Sequence, residues 1–140
     1  MITQRMTLMT GAIAGGLAVA LGAFGAHAIK AMLVASHSLE AYEVAARYQF
    51  YHALALLLIG LLMDRIQNKK ALGWAAFFMV NGILFFSGSL YILALTSFSA
   101  IGFLTPVGGL FFLVGWGLLF WSILKTTTTF PAPPSGKKKE

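Results

Sequence analysis

Four long stretches of almost uncharged, apolar residues limit what this 140-residue chain can fold into. They lie at about residues 6–28, 48–63, 71–95 and 106–124. A helix needs about 20 mostly apolar residues to cross a hydrocarbon core of about 30 Å, and open strands would leave backbone groups unpaired in lipid. The second stretch is short, but an amphipathic segment precedes it. The four stretches therefore predict an all-α integral membrane protein, a bundle of four transmembrane helices.

The composition agrees with a membrane protein. Hydrophobic residues make up 59% of the chain and charged residues 10%, whereas a soluble domain has roughly 45–50% apolar and about 25% charged residues. The chain has no cysteine, so disulfides and thiolate metal sites are excluded. Its net charge of +6 lies mainly at the ends of the apolar stretches. This distribution points to membrane orientation rather than to nucleic acid, and the lipid bilayer is the first predicted partner.

The first apolar stretch has some features of a cleavable signal, because Arg5 precedes it and residues 26–28 read AHA. Its apolar run of about 22 residues is longer than the core of a signal peptide, which has roughly 7–15 residues. We therefore expect this stretch to remain as the first transmembrane helix.

The positions of lysine and arginine predict the orientation. Eight of the ten flank one side of the four stretches, and only Lys30 and Arg47 flank the other. Because positive residues are enriched in cytoplasmic loops, both termini are predicted to be cytoplasmic, in a bacterial cytoplasmic (inner) membrane or, for a mitochondrial protein, on the matrix side. Residues 1–125 are predicted to form the membrane domain, and the Pro-, Thr- and Lys-rich residues 126–140 a cytoplasmic tail.

Small residues recur along one face of the first stretch. Gly11, Gly15, Gly22 and Gly25 follow one another at steps of three, four or seven residues. Such a face lets a second helix approach closely, so these glycines are predicted at a helix–helix contact. The contact lies either inside the bundle or, alternatively, against another subunit.

The segment SLEAYEVAARYQFYH, residues 38–52, predicts an amphipathic lead-in on the outer side of the second helix. Ser38 is predicted to cap this helix, and Thr105 to cap the fourth helix in front of Pro106. Glu43 and Arg47 are four residues apart in the order that favours an ion pair. We expect this pair to form and to pack near the outer ends of the first and third helices.

Depth along the helices predicts a polar cluster in the outer half of the membrane. At 1.5 Å per residue, His52 lies about 18 Å from Asp64, and Ser87 and Ser89 lie about 24–27 Å from Ala71. The candidate polar cluster comprises His27, Glu43, Arg47, Tyr51, His52, Asn81, Ser87 and Ser89.

Four motifs carry a resemblance to a known family: GAFGAH at 22–27, YQFYHALALL at 48–57, FSGSLY at 86–91 and TPVGGLFFLVGW at 105–116. In this order and spacing they resemble the small membrane proteins known as domain of unknown function 423, which include bacterial YgdD-like proteins and eukaryotic transmembrane protein 256. The resemblance covers about residues 6–124. It implies four membrane helices and no established activity.

Three hypotheses for the function follow. The favoured one is a non-enzymatic accessory or scaffold subunit, alone, as a homo-oligomer or in a larger membrane protein complex, because polar side chains can join helices that lipid itself does not drive together. The alternative is a small-solute or proton transporter that uses the polar cluster, although no carboxylate lies deep in the membrane. A metal or haem site through His27, His37 and His52 lacks the compact spacing of a known ligand motif. A Ser87 or Ser89 nucleophile helped by His52 has no sequence marker. No metal, cofactor or catalytic residue is therefore predicted.

Overall fold

The computed structural model describes residues 2–126, and all its regular secondary structure in that range is helical. Apart from residue 126, the predicted cytoplasmic tail lies outside the described residues. The α-helices are α1 (Gln4–His27), α2 (Lys30–Ala35), α3 (Leu39–Leu62), α4 (Lys69–Gly82), α5 (Gly88–Thr96) and α6 (Leu104–Leu124). A π-helical turn at Ile83–Ser87 joins α4 to α5, and a 3₁₀ helix at Ser99–Phe103 leads into α6.

Four helical segments of the described chain are long and apolar enough to cross a membrane. They are Gln4–His27, Leu39–Leu62, Lys69–Thr96 and Ser99–Leu124. The third segment, here called the third span, consists of α4, the π-helical turn and α5. The predicted all-α membrane fold is confirmed, and the amphipathic lead-in is the start of α3 itself. The cytoplasmic location of the termini stays a prediction.

The helices pack as two pairs. α1 packs along α3, and α6 packs along α4 and the π-helical turn. The two pairs meet where α3 contacts the third span, so α3 is the most central helix. In its most apolar segment 44% of the residues are buried, compared with 17% for α1. Most of the α1 surface is therefore free for lipid or for another protein.

The core has two parts. The smaller one lies around Leu33, Tyr42 and Ala94, near the loop that joins α1 to α3. The larger one joins α3, α4 and α6, and its alanines let α3 and α4 approach closely. It consists of Ala55, Leu56, Ile59, Met63, Ile66, Leu72, Ala75, Ala76, Met79, Phe112 and Leu119.

The two predicted helix caps are wrong, because each hydroxyl has a tertiary partner. Ser38 precedes α3 but makes no capping hydrogen bond, and its Oγ donates to the carbonyl of Ala94 at 3.0 Å. Thr105 lies inside the first turn of α6, where its Oγ1 is 2.7 Å from the Oγ of Ser89. Both hydroxyls therefore connect different spans instead of capping their own helix.

The π-helical turn is where α6 approaches the third span most closely. A Cβ built on Gly108 would overlap the backbone of Phe86, and one built on Gly82 would overlap the ring of Phe112. A π turn disturbs the regular hydrogen-bond ladder of a helix, and here Ser89 Oγ donates to the carbonyl of Phe86 at 2.9 Å. Glycine at position 108 thus permits a backbone-to-backbone contact that any other residue would prevent.

Candidate functional site

The four glycines predicted to lie at a helix contact face α3. The ring of Tyr42 occupies the place of a Gly25 side chain, and a Cβ on Gly11 would lie 3.1 Å from the carbonyl oxygen of Ala53. A Cβ on Gly15 would lie 3.7 Å from the Cβ of Ala53, and one on Gly22 would lie 4.0 Å from the Cβ of Ala46. The space is therefore tight at residues 11 and 25, and an alanine fits at residues 15 and 22.

Two side chains of α3 donate hydrogen bonds to the backbone of α1. The hydroxyl of Tyr42 donates to the carbonyl of Leu21 at 2.9 Å, and Nε2 of Gln49 donates to the carbonyl of Ala14 at 2.9 Å. Both donors are buried. Neither belongs to the predicted polar cluster, although residues 42 and 49 are two helical turns apart and share one face of α3. That spacing is the feature of the sequence that indicates that both side chains contact the same neighbouring helix.

His52 is held in an aromatic setting between α3 and α6. Its Nδ1 lies 2.7 Å from the carbonyl oxygen of Tyr48, which can only accept, so Nδ1 carries the proton. Its Nε2 is then an acceptor, and Nε1 of Trp116 donates to it at 3.3 Å. The imidazole also stacks on Phe112 with ring centroids 3.4 Å apart. Both nitrogens are therefore used in bonds that join or stiffen helices.

A lateral groove of about 600 Å³ opens beside His52. Its walls include Tyr48, Tyr51, Phe86 and Trp116. Tyr51 is exposed, and its ring centroid lies 6.2 Å from that of Tyr48. The groove is lined mostly by apolar and aromatic side chains, which suits acyl chains better than water.

The three members of the predicted polar cluster on the third span do not form one hydrogen-bond network with His52. Asn81 donates to the carbonyl of Phe77 in its own helix at 2.8 Å. Ser89 is bonded to Thr105, whereas the hydroxyl of Ser87 is fully buried with no hydrogen-bond partner among the described residues. These three side chains therefore act at separate places along the span.

The charged members of the predicted cluster lie near the α1–α3 loop. No salt bridge joins Glu43 to Arg47 within residues 2–126, although both line a cleft with Gly22, Gly25 and Tyr42. Both charged side chains are exposed, where an ion pair contributes only about 0–1 kcal/mol, so little holds them together. The predicted pairing is thus not formed. His27 is also exposed, at the last residue of α1.

The part of the chain that the structure describes contains no group of three or more His, Asp or Glu residues that could hold a metal ion. His27 ends α1, and His37 lies in the turn before α3 with a φ of 53°. His52 is bonded to Tyr48 and Trp116. The three histidines therefore occupy three different settings.

These features define a class of protein: a small integral membrane protein with four spanning helices, in which several buried polar side chains, such as Gln49 and His52, bond one helix to another. Comparison with known proteins identifies the family. A family model described as a protein of unknown function, DUF423, matches residues 21–109. The chain belongs to this family, as its motifs predict. No solved structure matches the chain.

Curated relatives match most of the chain. A UPF0382 membrane protein of Staphylococcus saprophyticus is 47% identical over 83% of this chain and 94% of its own length. A UPF0382 membrane protein of Staphylococcus aureus is 40% identical over 87% of this chain and 98% of its own length. The UPF0382 inner membrane protein YgdD of Escherichia coli is 40% identical over 84% of this chain and 88% of its own length. These names agree with the predicted integral location in an inner membrane.

Proposed function

We propose that this protein is a non-enzymatic accessory or scaffold subunit that packs against the transmembrane helices of a larger membrane protein complex. The observation that carries the proposal is an uncovered crevice between α1 and the third span. The crevice consists of two open cavities of about 420 and 290 Å³, one after the other along the span.

The dimensions of the crevice suit a partner helix. On the third span its lining extends from Lys70 to Tyr91, which is about 32 Å of helix at 1.5 Å per residue. That length is close to the roughly 30 Å of the hydrocarbon core. Apolar side chains such as Ile13, Leu17 and Leu84 form the walls of the crevice. Gly73 and Gly88 also line it and, having no side chain, leave room for a partner helix. Small residues among larger apolar ones are typical of transmembrane helix contacts.

The use of the polar side chains also supports a structural role. Tyr42 and Gln49 bond α3 to α1, and Trp116 bonds α6 to His52 of α3. A transporter would instead need polar groups that follow one another along a hydrated path. Tyr42, Gln49 and His52 each bond to a separate partner rather than to one another. This arrangement favours the scaffold over the transport alternative.

Purification from native membranes into nanodiscs, followed by mass spectrometry, tests the proposal. We expect a larger membrane protein to co-purify in a fixed ratio. The variant Leu84→Trp fills the crevice and should lose this partner, whereas Phe120→Trp alters an equally exposed residue of α6 outside the crevice and should keep it. A wild-type protein that purifies alone or only with copies of itself, or equal behaviour of both variants, would argue against the proposal. A visible absorption band in the purified protein would contradict a cofactor-free subunit.

A further inference from the structure

A small cleft lies at the end of the α1–α3 pair that is nearer to α2, and it presents two charges of opposite sign. Its volume is about 270 Å³, and Glu43 and Arg47 line it together with Tyr42. We propose that this cleft binds the headgroup of phosphatidylethanolamine, with Arg47 holding the phosphate and Glu43 the ammonium group. This binding site is independent of the accessory role proposed above.

The two charges are available to a ligand because both side chains are exposed and line the cleft. Glu43 and Arg47 are one helical turn apart in the favourable order for an ion pair, yet no salt bridge connects them within the described residues. A guanidinium group offers several N–H donors in a fork that matches phosphate oxygens. A carboxylate accepts hydrogen bonds from a primary ammonium group. One zwitterionic headgroup therefore satisfies both side chains at once.

The cleft exists because small residues surround it. Gly22, Gly25 and Ala26 of α1 and Ala46 of α3 line it. Larger side chains at these positions would fill the space between the charged residues and α1. At Gly25 the ring of Tyr42 already occupies the site of a side chain, and this ring forms one wall of the cleft.

The surroundings of the charges favour a lipid over a free solute. Arg47 lies about 24 Å along α3 from Met63, which follows the last residue of the helix. Because the hydrocarbon core is about 30 Å thick, a helix with Met63 at one boundary of the core has Arg47 near the other boundary. Phe50, Leu54 and Leu58 follow Arg47 at steps of three or four residues, so they share one side of α3. All three are exposed. The charged pair thus lies at one end of an apolar stripe on α3, in the same arrangement as the headgroup and acyl chains of a phospholipid.

Native mass spectrometry of the full-length protein with added lipids of identical acyl chains tests this site. We expect phosphatidylethanolamine to be retained several-fold better than phosphatidylcholine or phosphatidylglycerol. Phosphatidylcholine has no N–H to donate to Glu43, and phosphatidylglycerol has no cation. The variant Arg47→Gln should lower retention of phosphatidylethanolamine several-fold, and Glu43→Gln should remove its advantage over phosphatidylcholine.

Two substitutions outside the lining of the cleft are matched controls. Lys30→Gln and Glu40→Gln remove one charge of each sign near the same end of the protein and should leave lipid retention unchanged. Equal retention of the three lipids by the wild type, or equal effects of Arg47→Gln and Lys30→Gln, would overturn the proposal. Displacement of the lipid by an equal concentration of free phosphoethanolamine would overturn the assignment to a lipid, because a free headgroup makes no contact with the apolar stripe.

Discussion

Replacement of Gly108 by alanine should destabilise the contact between α6 and the third span. The added Cβ would overlap the backbone nitrogen of Phe86 and lie 2.7 Å from its Cα. Because the obstacle is backbone in a π-helical turn, it cannot rotate away as the end of a flexible side chain can. The two helices must therefore separate, which loosens the packing of Phe112 against Gly82 in the same contact.

The size of the effect follows from two opposing contributions. Overpacking costs about 1–3 kcal/mol, and a backbone obstacle places this contact at the upper end. Alanine is favoured over glycine inside a helix by up to about 1 kcal/mol, which offsets part of the cost. The expected net loss is about 2 kcal/mol of unfolding free energy, close to a 30-fold change in the equilibrium constant.

Reversible unfolding by sodium dodecyl sulfate in mixed micelles, followed by circular dichroism, measures this loss. The matched control is Gly117→Ala on the same helix, because no atom lies within 4 Å of a Cβ at that position. The control should leave stability unchanged or raise it slightly. Equal unfolding free energies for the two variants would refute the close contact between Gly108 and Phe86.

Three further predictions use the same unfolding measurement. Tyr42→Phe removes the hydrogen bond to the carbonyl of Leu21 and should cost about 0.6 kcal/mol, the average for such bonds in a membrane protein; no loss would mean that the bond contributes nothing. Gly15→Ala should be tolerated, since its Cβ meets Ala53 at an ordinary 3.7 Å, whereas Gly15→Leu should cost about 1–3 kcal/mol; equal stability of both would place residue 15 against lipid. Ser97 has a φ of 56°, so Ser97→Gly should stabilise by up to about 1 kcal/mol, and a loss of stability would contradict that conformation.

The spanning helices could be predicted from the sequence because their length and lack of charge are properties of each segment alone. The segment from residue 48 to 63 shows the limit of this reasoning. Its apolar part is short, but the structure continues the helix back to Leu39, through Glu43 and Arg47. The glycine face of α1 could also be recognised, since helical spacing alone places Gly11 and Gly25 on the same side as Gly15 and Gly22.

The polar cluster could not be derived in the same way. Counting residues gives the height of a side chain along its helix but not the direction in which it points around the bundle. Ser87 and His52 lie at similar predicted heights, yet Ser87 is buried without a partner while His52 bonds to Trp116. The tertiary partners of Ser38 and Thr105 depend on how α3, α5 and α6 pack, which no local pattern specifies.

Site-specific photocrosslinking in native membranes tests most directly whether the crevice between α1 and the third span receives a partner helix. A photoreactive residue at Leu84 lies in the crevice, and one at Phe120 lies on the exposed surface of α6. We predict that position 84 crosslinks to the same protein that co-purifies in a fixed ratio, and that position 120 crosslinks to lipid. Crosslinks to lipid alone at position 84, or to the same proteins at both positions, would contradict a partner-binding role for the crevice.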